Sequence, residues 1–407
     1  MSATRYAREG GPARDPQRIA RLWRDRPQFA PQGAAAGSAG AAAGTGTGAD
    51  AGPLTITGMR AWRIKEPAGG RRYTVVRLET RGGAAGYGEG GPVTGIDLAD
   101  ARPRVLGRRA VETEYFRHLF AASPAIEAAV SNACLDILSR HGKAPLYQFL
   151  GGPTRFKARL LASPDGLEPA AFKAPLERAM KAGFKAVTIP IPRHDALWRM
   201  QAYVDAVRAR VADARQMAGA GIEIVLDAAG TLTPGDAAFV AKALERDHIM
   251  WLDEPTSVLT TDALAKISDE SVVPVALGRG VTDIAAFQNL LRHGSIDLLR
   301  PSLGLNSLHK IRRMAAIAET HYVAVVPYHD GGPIGTLAGI HLNAALANSF
   351  IQQVPFPAAE RDAAMRTEIT GGQQEVAIDG FAALINKPGL GVEISDAALS
   401  KYSEETL

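Results

Sequence analysis

From Ala158 onward the chain repeats one pattern that few folds accept: a short apolar run, then an amphipathic segment of helical period. The runs are Arg159–Ala162, Ala186–Ile191, Ile222–Leu226, Ile249–Leu252, Val272–Leu277, Ile296–Leu299, Val323–Val326 and Ser349–Ile351. Segments such as Ala170–Ala182, Pro234–Arg246, Asp283–Leu291 and Leu308–Glu319 separate them. Strands without polar alternation are buried on both faces, which is how a parallel sheet reads. Eight of them in about 200 residues suit a closed barrel of strands and helices better than an open sheet. The fold class expected is therefore α/β, a TIM-like barrel.

The barrel has an attachment on each side. Leu54–Ile64 and Tyr73–Thr80 alternate apolar and polar residues, as antiparallel strands do, with Glu66–Gly70 as the turn between them. Helical periodicity follows from about Glu112 to Leu150 and ends at Gly151-Gly152-Pro153. These elements predict an α+β capping domain over 53–157, before a barrel over 158–353. The segment 354–407 alternates weakly and is expected to pack back on the cap.

Residues 1–52 form none of this. Seven arginines against three acidic residues in 1–26 account for the whole net charge of +4, leaving 39 basic and 39 acidic residues elsewhere. The basic pI therefore reflects a short arm, which has no lysine cluster and no binding module, and nucleic acid is not an expected partner. The Ala/Gly/Ser/Thr stretch Gly33–Gly48 has no side chain large enough to bury and reads as a flexible linker. Its glycines interrupt any apolar core that an export signal would need. No run of 18 or more apolar residues occurs, so no membrane span is expected. The single cysteine, Cys134, excludes an internal disulfide and points to a reducing, cytoplasmic compartment.

Gly86-Tyr-Gly-Glu-Gly-Gly91 follows a strand and looks like a phosphate loop. Such a motif needs a helix N-terminus directly behind it, and Pro92–Asp97 reads as a loop. No nucleotide cofactor is expected.

Barrel enzymes carry their chemistry at the C-terminal ends of the strands. Here those ends present Thr188 and Pro190, Asp227, Asp253-Glu254, Arg279, Arg300-Pro301-Ser302, Tyr328-His329-Asp330 and Gln352-Gln353. Asp227, Asp253 and Arg279 follow one another at intervals of 26 residues. Equal steps over successive βα units set the three side chains at similar height on adjacent strands.

At these residues the chain resembles a known family. Tyr87–Gly90, Ala125–Asp136 running into Pro145–Gly152, Gly183–Val187, Val225–Gly230, Trp251–Pro255, Ile296–Pro301 and Pro327–Pro333 are similar, in order, to the enolase superfamily. The resemblance is to its mandelate racemase/muconate lactonizing enzyme branch, which includes acid-sugar dehydratases. It implies a (β/α)7β barrel with an α+β cap, Mg²⁺ as cofactor, a hydroxy-carboxylate such as an acid sugar as ligand, and a homo-oligomer. The implied chemistry removes a proton α to a carboxylate, with the enolate held by the metal and a Lys or His as base.

Position by position the chain departs from that pattern. The three metal carboxylates fall on Asp227, Asp253 and Arg279, and the paired lysines fall on Thr188 and Pro190. The catalytic histidine falls on Tyr328, or on His329 if the strand is shifted by one, its aspartate partner on Ser302, and the last glutamate on Gln353. Mg²⁺ relies on carboxylate oxygens in tight octahedral geometry, and a guanidinium at the third position places a fixed cation beside it. Arg279 is expected instead to occupy the metal position as partner to Asp253 or Asp227.

The residues leave alternatives open. Asp227 and Asp253 are either remnant metal ligands or ion-pair partners of Arg279. Arg279 and Arg300 either grip a ligand carboxylate, with Gln353 and Thr188 beside them, or neutralise the aspartates. His329 is the candidate base, with Tyr328 and Arg300 in the catalytic set, or it is hydrogen-bonded within its glycine-rich turn. The corresponding functions are a divergent lyase or isomerase acting at the α-carbon of a hydroxy-carboxylate, and a non-catalytic relative that binds a small carboxylate or assembles with an active paralogue.

Overall fold

The computed structural model describes residues 52–164, 172–193, 199–292, 294, 296–372 and 374–407. The Arg-rich arm and the linker lie outside these residues, as does the start of the helix expected at Ala170.

β1 (Ile56–Lys65), β2 (Arg72–Thr80) and β3 (Ala85–Gly90) form an antiparallel meander, closed at its first turn by Glu66 N–H donating to Arg71 O at 2.9 Å. The helix Pro124–His141 lies directly on β3. A Cβ at Gly88 would sit 2.1 Å from Ala129 O, and one at Gly90 2.1 Å from Ala125 O. Alternate residues of β3 must lack a side chain for the helix backbone to come this close. That approach, and not a phosphate, accounts for the glycine-rich motif. A helix does follow it, over Gly95–Val105, where the sequence had suggested only a loop. Its start is fixed by a reciprocal cap between Thr94 and Asp97.

The barrel strands are β4 (Lys157–Pro164), β5 (Ala186–Pro190), β6 (Glu223–Asp227), β7 (Trp251–Asp253), β8 (Val275–Leu277), β9 (Leu298–Leu299), β10 (Ala324–Val325) and β11 (Gln352–Phe356). Each is parallel to its neighbour through β10, and β11 returns to lie parallel to β4 with Gln353 opposite Leu161. A bridge from Val325 to Ser349, with Phe350 N–H donating to Val325 O at 3.2 Å, closes the ring. β11 begins only after the expected run Ser349–Ile351, which contributes a single bridge at Ser349; the strand itself starts with two polar residues, Gln352 and Gln353, that ended the apolar run in the sequence yet are buried.

The interior of the ring is filled by one residue from each strand position: Leu161, Ala186, Val225, Trp251, Ala276, Leu298, Val326 and Ile351. Their neighbours, among them Leu160, Val187, Ile224, Leu252, Val275, Leu299 and Val325, pack outward against the helices. Side chains alternate along a strand. Two residues beyond the apolar ring, the same inward parity selects Thr188, Asp227, Asp253, Arg300, Tyr328 and Gln353. His329 falls on the opposite parity.

After β11 come the helix Glu360–Thr370, β12 (Phe381–Ala383) paired antiparallel with β4, and the helix Asp396–Tyr402. β13 (Ser403–Thr406) then pairs with β1 and completes the cap sheet, so the end of the chain lies on the first module. Among the described residues no helix is long and apolar enough to cross a membrane.

Candidate functional site

Asp227 and Asp253 end adjacent parallel strands as direct register partners. Immediately after Asp253, Glu254 turns back with φ of 42° and accepts from Gly278 N at 2.6 Å and Arg279 N at 2.7 Å. Gly278 has φ of 124°, a value open to glycine and not to L side chains at ordinary strain. These two features turn the chain after β8 so that the Arg279 side chain crosses to its neighbours. Nη2 of Arg279 lies 3.0 Å from Asp227 Oδ2 and also donates to Asp253 Oδ2. Its Cζ stands 4.3 Å from the centre of the Tyr328 ring.

Arg300 completes the cluster from below. It donates to both oxygens of Asp253, Nε to Oδ1 at 3.0 Å and Nη2 to Oδ2 at 2.9 Å. Nη1 reaches Val326 O at 3.1 Å, and Nη2 also donates to Gln353 Oε1. Gln353 Nε2 in turn donates to His329 O at 2.7 Å. Two guanidinium groups and two carboxylates therefore balance to zero, with Arg300 and Asp253 fully buried and Arg279 and Asp227 partly exposed.

The titration of these groups follows from that arrangement. Burial pushes the Asp253 carboxyl up, but Arg279 and Arg300 outweigh it and hold the group below the usual carboxylate range. Asp227 has Arg279 alone, and burial, aided by the charge on Asp253, leaves it above that range. Burial also raises Glu254.

The structure separates the residues singled out from the sequence. Arg279 and Tyr328 face the mouth partly exposed, with side-chain exposure of 16% for Arg279. The Tyr328 hydroxyl donates to Asp330 Oδ2 at 3.3 Å. Arg300, Gln353 and Thr188 are buried beneath them, and Arg300 is 0% exposed with its charge fully committed to Asp253. The expected grip of Arg300 on a ligand is thus replaced by an internal contact. Thr188 Oγ1 and Arg279 Nε are buried without a hydrogen-bond partner among the described residues.

His329 does not join the cluster. It is 2% exposed, its Nε2 donates to Gly332 O at 2.9 Å, and its Nδ1 accepts from Gly331 N at 3.4 Å. Burial pushes it down to about 3, so the ring is neutral. With both ring nitrogens occupied in the turn, the candidate base of the sequence reading is unable to reach the mouth; parity is the reason. Sequence reasoning also passed over its neighbour Glu89. That carboxylate, from β3, accepts from Gly332 N at 2.6 Å and Gly335 N at 2.9 Å and caps the helix Pro333–Ala345. Burial raises it to about 7. Beside it Arg366 joins Glu66 of the cap to Glu375, all three buried. A lone glutamate between glycines was the available signal.

The donor set at the strand ends does not fit Mg²⁺. Asp227 and Asp253 both direct an oxygen at the same guanidinium nitrogen, where a hard cation would need those oxygens. Among the described residues no group of three or more His, Cys, Asp or Glu is arranged to hold a metal ion.

Residues 171–398 match the family described as Enolase C-terminal domain-like. D-galactonate dehydratase of Verminephrobacter eiseniae (strain EF01-2) is 26% identical over 368 residues, covering 86% of this chain and 95% of that protein. D-galactonate dehydratase of Ralstonia pickettii (strain 12J) is 25% identical with the same coverage. Among solved structures, a mandelate racemase/muconate lactonizing enzyme-like protein from Rubrobacter xylanophilus DSM 9941 superposes with a TM-score of 0.75 at 23% identity, covering 87% of this chain and 98% of that one. An enolase superfamily member from Salmonella Typhimurium gives 0.74 at 20% identity, covering 87% and 99%. The match over more than half of the sequence, with the capped barrel, establishes that the chain belongs to the enolase superfamily, in its mandelate racemase/muconate lactonizing enzyme branch and with dehydratase-like relatives.

Proposed function

We propose that the chain is a lyase or isomerase of the enolase superfamily that takes a small hydroxy-carboxylate of the acid-sugar class and works without Mg²⁺. The observation that carries the reading is Arg279, whose Nη2 joins Asp227 and Asp253 while its side chain remains 16% exposed against the Tyr328 ring. A guanidinium so placed pairs with a ligand carboxylate and stabilises the negative charge that develops when the α-proton leaves. The proton-carrying group is the Tyr328 hydroxyl, with Asp330 behind it at 3.3 Å. Arg300, Gln353 and Thr188 hold this layer from beneath. The ligand class comes from the relatives, whose names specify D-galactonate.

The test is a panel of sugar acids, D-galactonate first, scored by thermal shift in EDTA and in Mg²⁺, with turnover of each hit followed by NMR. A hit that stabilises equally in both buffers and is converted, with conversion lost in Tyr328→Phe, supports the proposal. Stabilisation that requires Mg²⁺ overturns it. Binding without conversion selects the second reading, a non-catalytic carboxylate binder, which the burial of His329 within its own turn favours.

A further inference from the structure

We infer that Arg279 is a built-in replacement for a divalent cation, and that the mouth is a metal centre rewritten in protein charge, closed to metal in the native chain and reopened by one charge reversal at residue 279. The inference deepens the function proposed above, but its test needs no ligand, so the two fail separately.

Three geometric facts carry it. The carboxylates of Asp227 and Asp253 come from register partners on neighbouring strands and converge on one point. That point is occupied by Arg279 Nη2, 3.0 Å from Asp227 Oδ2 and in contact with Asp253 Oδ2. The backbone that delivers residue 279 is held independently of its side chain, by Glu254 on the amides of Gly278 and Arg279.

Charge counting points the same way. Asp227, Asp253, Arg279 and Arg300 sum to zero, and Arg300 is bound to Asp253 whatever stands at 279. A glutamate at 279 lowers the sum by two units and adds two oxygens beside two carboxylates already aimed at the same point. A divalent cation supplies the missing two units, and such ions are bound by carboxylates converging in this way. In the native chain the incoming ion would meet a fixed guanidinium within contact distance, and both acidic oxygens would already be engaged.

Mn²⁺ titration of the full-length protein, followed by electron paramagnetic resonance and by thermal melting, provides the test. The native chain is expected to show no stoichiometric Mn²⁺ and no shift in its melt. Arg279→Glu is expected to bind one Mn²⁺ per chain, to melt higher with Mn²⁺ than without, and to lose both effects when Asp227→Asn is added. Where Arg279→Glu does not fold without metal, refolding on Mn²⁺ addition is the expected result. Arg279→Gln, nearly the same size and uncharged, then carries the comparison, with a melt raised by Mn²⁺. Stoichiometric Mn²⁺ on the native chain that disappears in Asp227→Asn overturns the inference. So does a folded Arg279→Glu, or a folded Arg279→Gln in its place, that ignores Mn²⁺.

Discussion

Replacing Arg279 with methionine keeps most of the side-chain volume and removes the cation shared by the buried Asp253 and the partly exposed Asp227. At 3.0 Å from Asp227 Oδ2, one such contact has a gross Coulomb energy of about 5 kcal/mol at an effective dielectric of about 20. Most of that is cancelled in the native state by the desolvation of the ions, but removing Arg279 leaves Asp227 largely buried without its cation, while Asp253 keeps Arg300. Measured losses of that kind run to about 3–5 kcal/mol, and that is the expected fall in unfolding free energy near pH 7.5. The sign of its pH dependence follows from Asp253. Its folded carboxyl lies below its ordinary value of 3.8, so it contributes stability above that value and loses it as pH falls through the lower, folded one. Without Arg279 that depression shrinks and Asp227, already raised, rises further, so the pair takes up a proton at higher pH than in the native chain. The deficit of the variant should therefore narrow as pH falls from 7.5 to 4.5. Urea unfolding at the two pH values measures it. A deficit below about 1 kcal/mol at both values would refute the reasoning, because exposed ion pairs behave that way. An undiminished deficit at pH 4.5 would trace the loss to packing over the Tyr328 ring instead of charge.

Other perturbations test other parts of the structure. Arg300→Met leaves Asp253 paired only with Arg279 and strands Gln353 Oε1, and is expected to lower stability by about 3–5 kcal/mol in the same urea assay. Burial raises Glu89 from 4.5 to about 7; a folded value above the unfolded one means that the contribution of this group is most favourable below pH 4.5 and declines as pH rises to 7, by on the order of 3 kcal/mol. Unfolding measured from pH 5 to 8 should show this slope, and Glu89→Gln should flatten it. Gly88→Ala places a Cβ 2.1 Å from Ala129 O and is expected to cost about 3 kcal/mol or more by chemical denaturation, because backbone on both sides has to move.

The barrel was legible because its strands are continuous apolar runs of strand length, and that signal survives without any knowledge of side-chain contacts. The 26-residue step from Asp227 to Asp253 does translate into direct register, but the second step does not: Asp253 stands opposite Ala276, and Arg279, three residues further on, reaches the pair only through the turn at Gly278. What the sequence concealed was parity. Tyr328 and His329 are adjacent letters, yet one faces the mouth and the other a glycine turn against Glu89. Depth was hidden as well: Arg279 and Arg300 look equivalent in the sequence, but only the second is fully enclosed. The helix Gly95–Val105 was missed because glycine starts it and Pro103 lies inside it, and the capping pair Thr94/Asp97 was not weighed against them.

The turn formed by Glu254 and Gly278 has a consequence for how such a centre changes over time. Its shape is specified by one carboxylate and two amides, and none of the three belongs to the group that residue 279 presents. Address and cargo are thus encoded at different positions. A single codon can invert the polarity of the centre while the loop keeps its course, so resistance to drift at residue 279 comes from the acids it faces and not from the backbone that carries it.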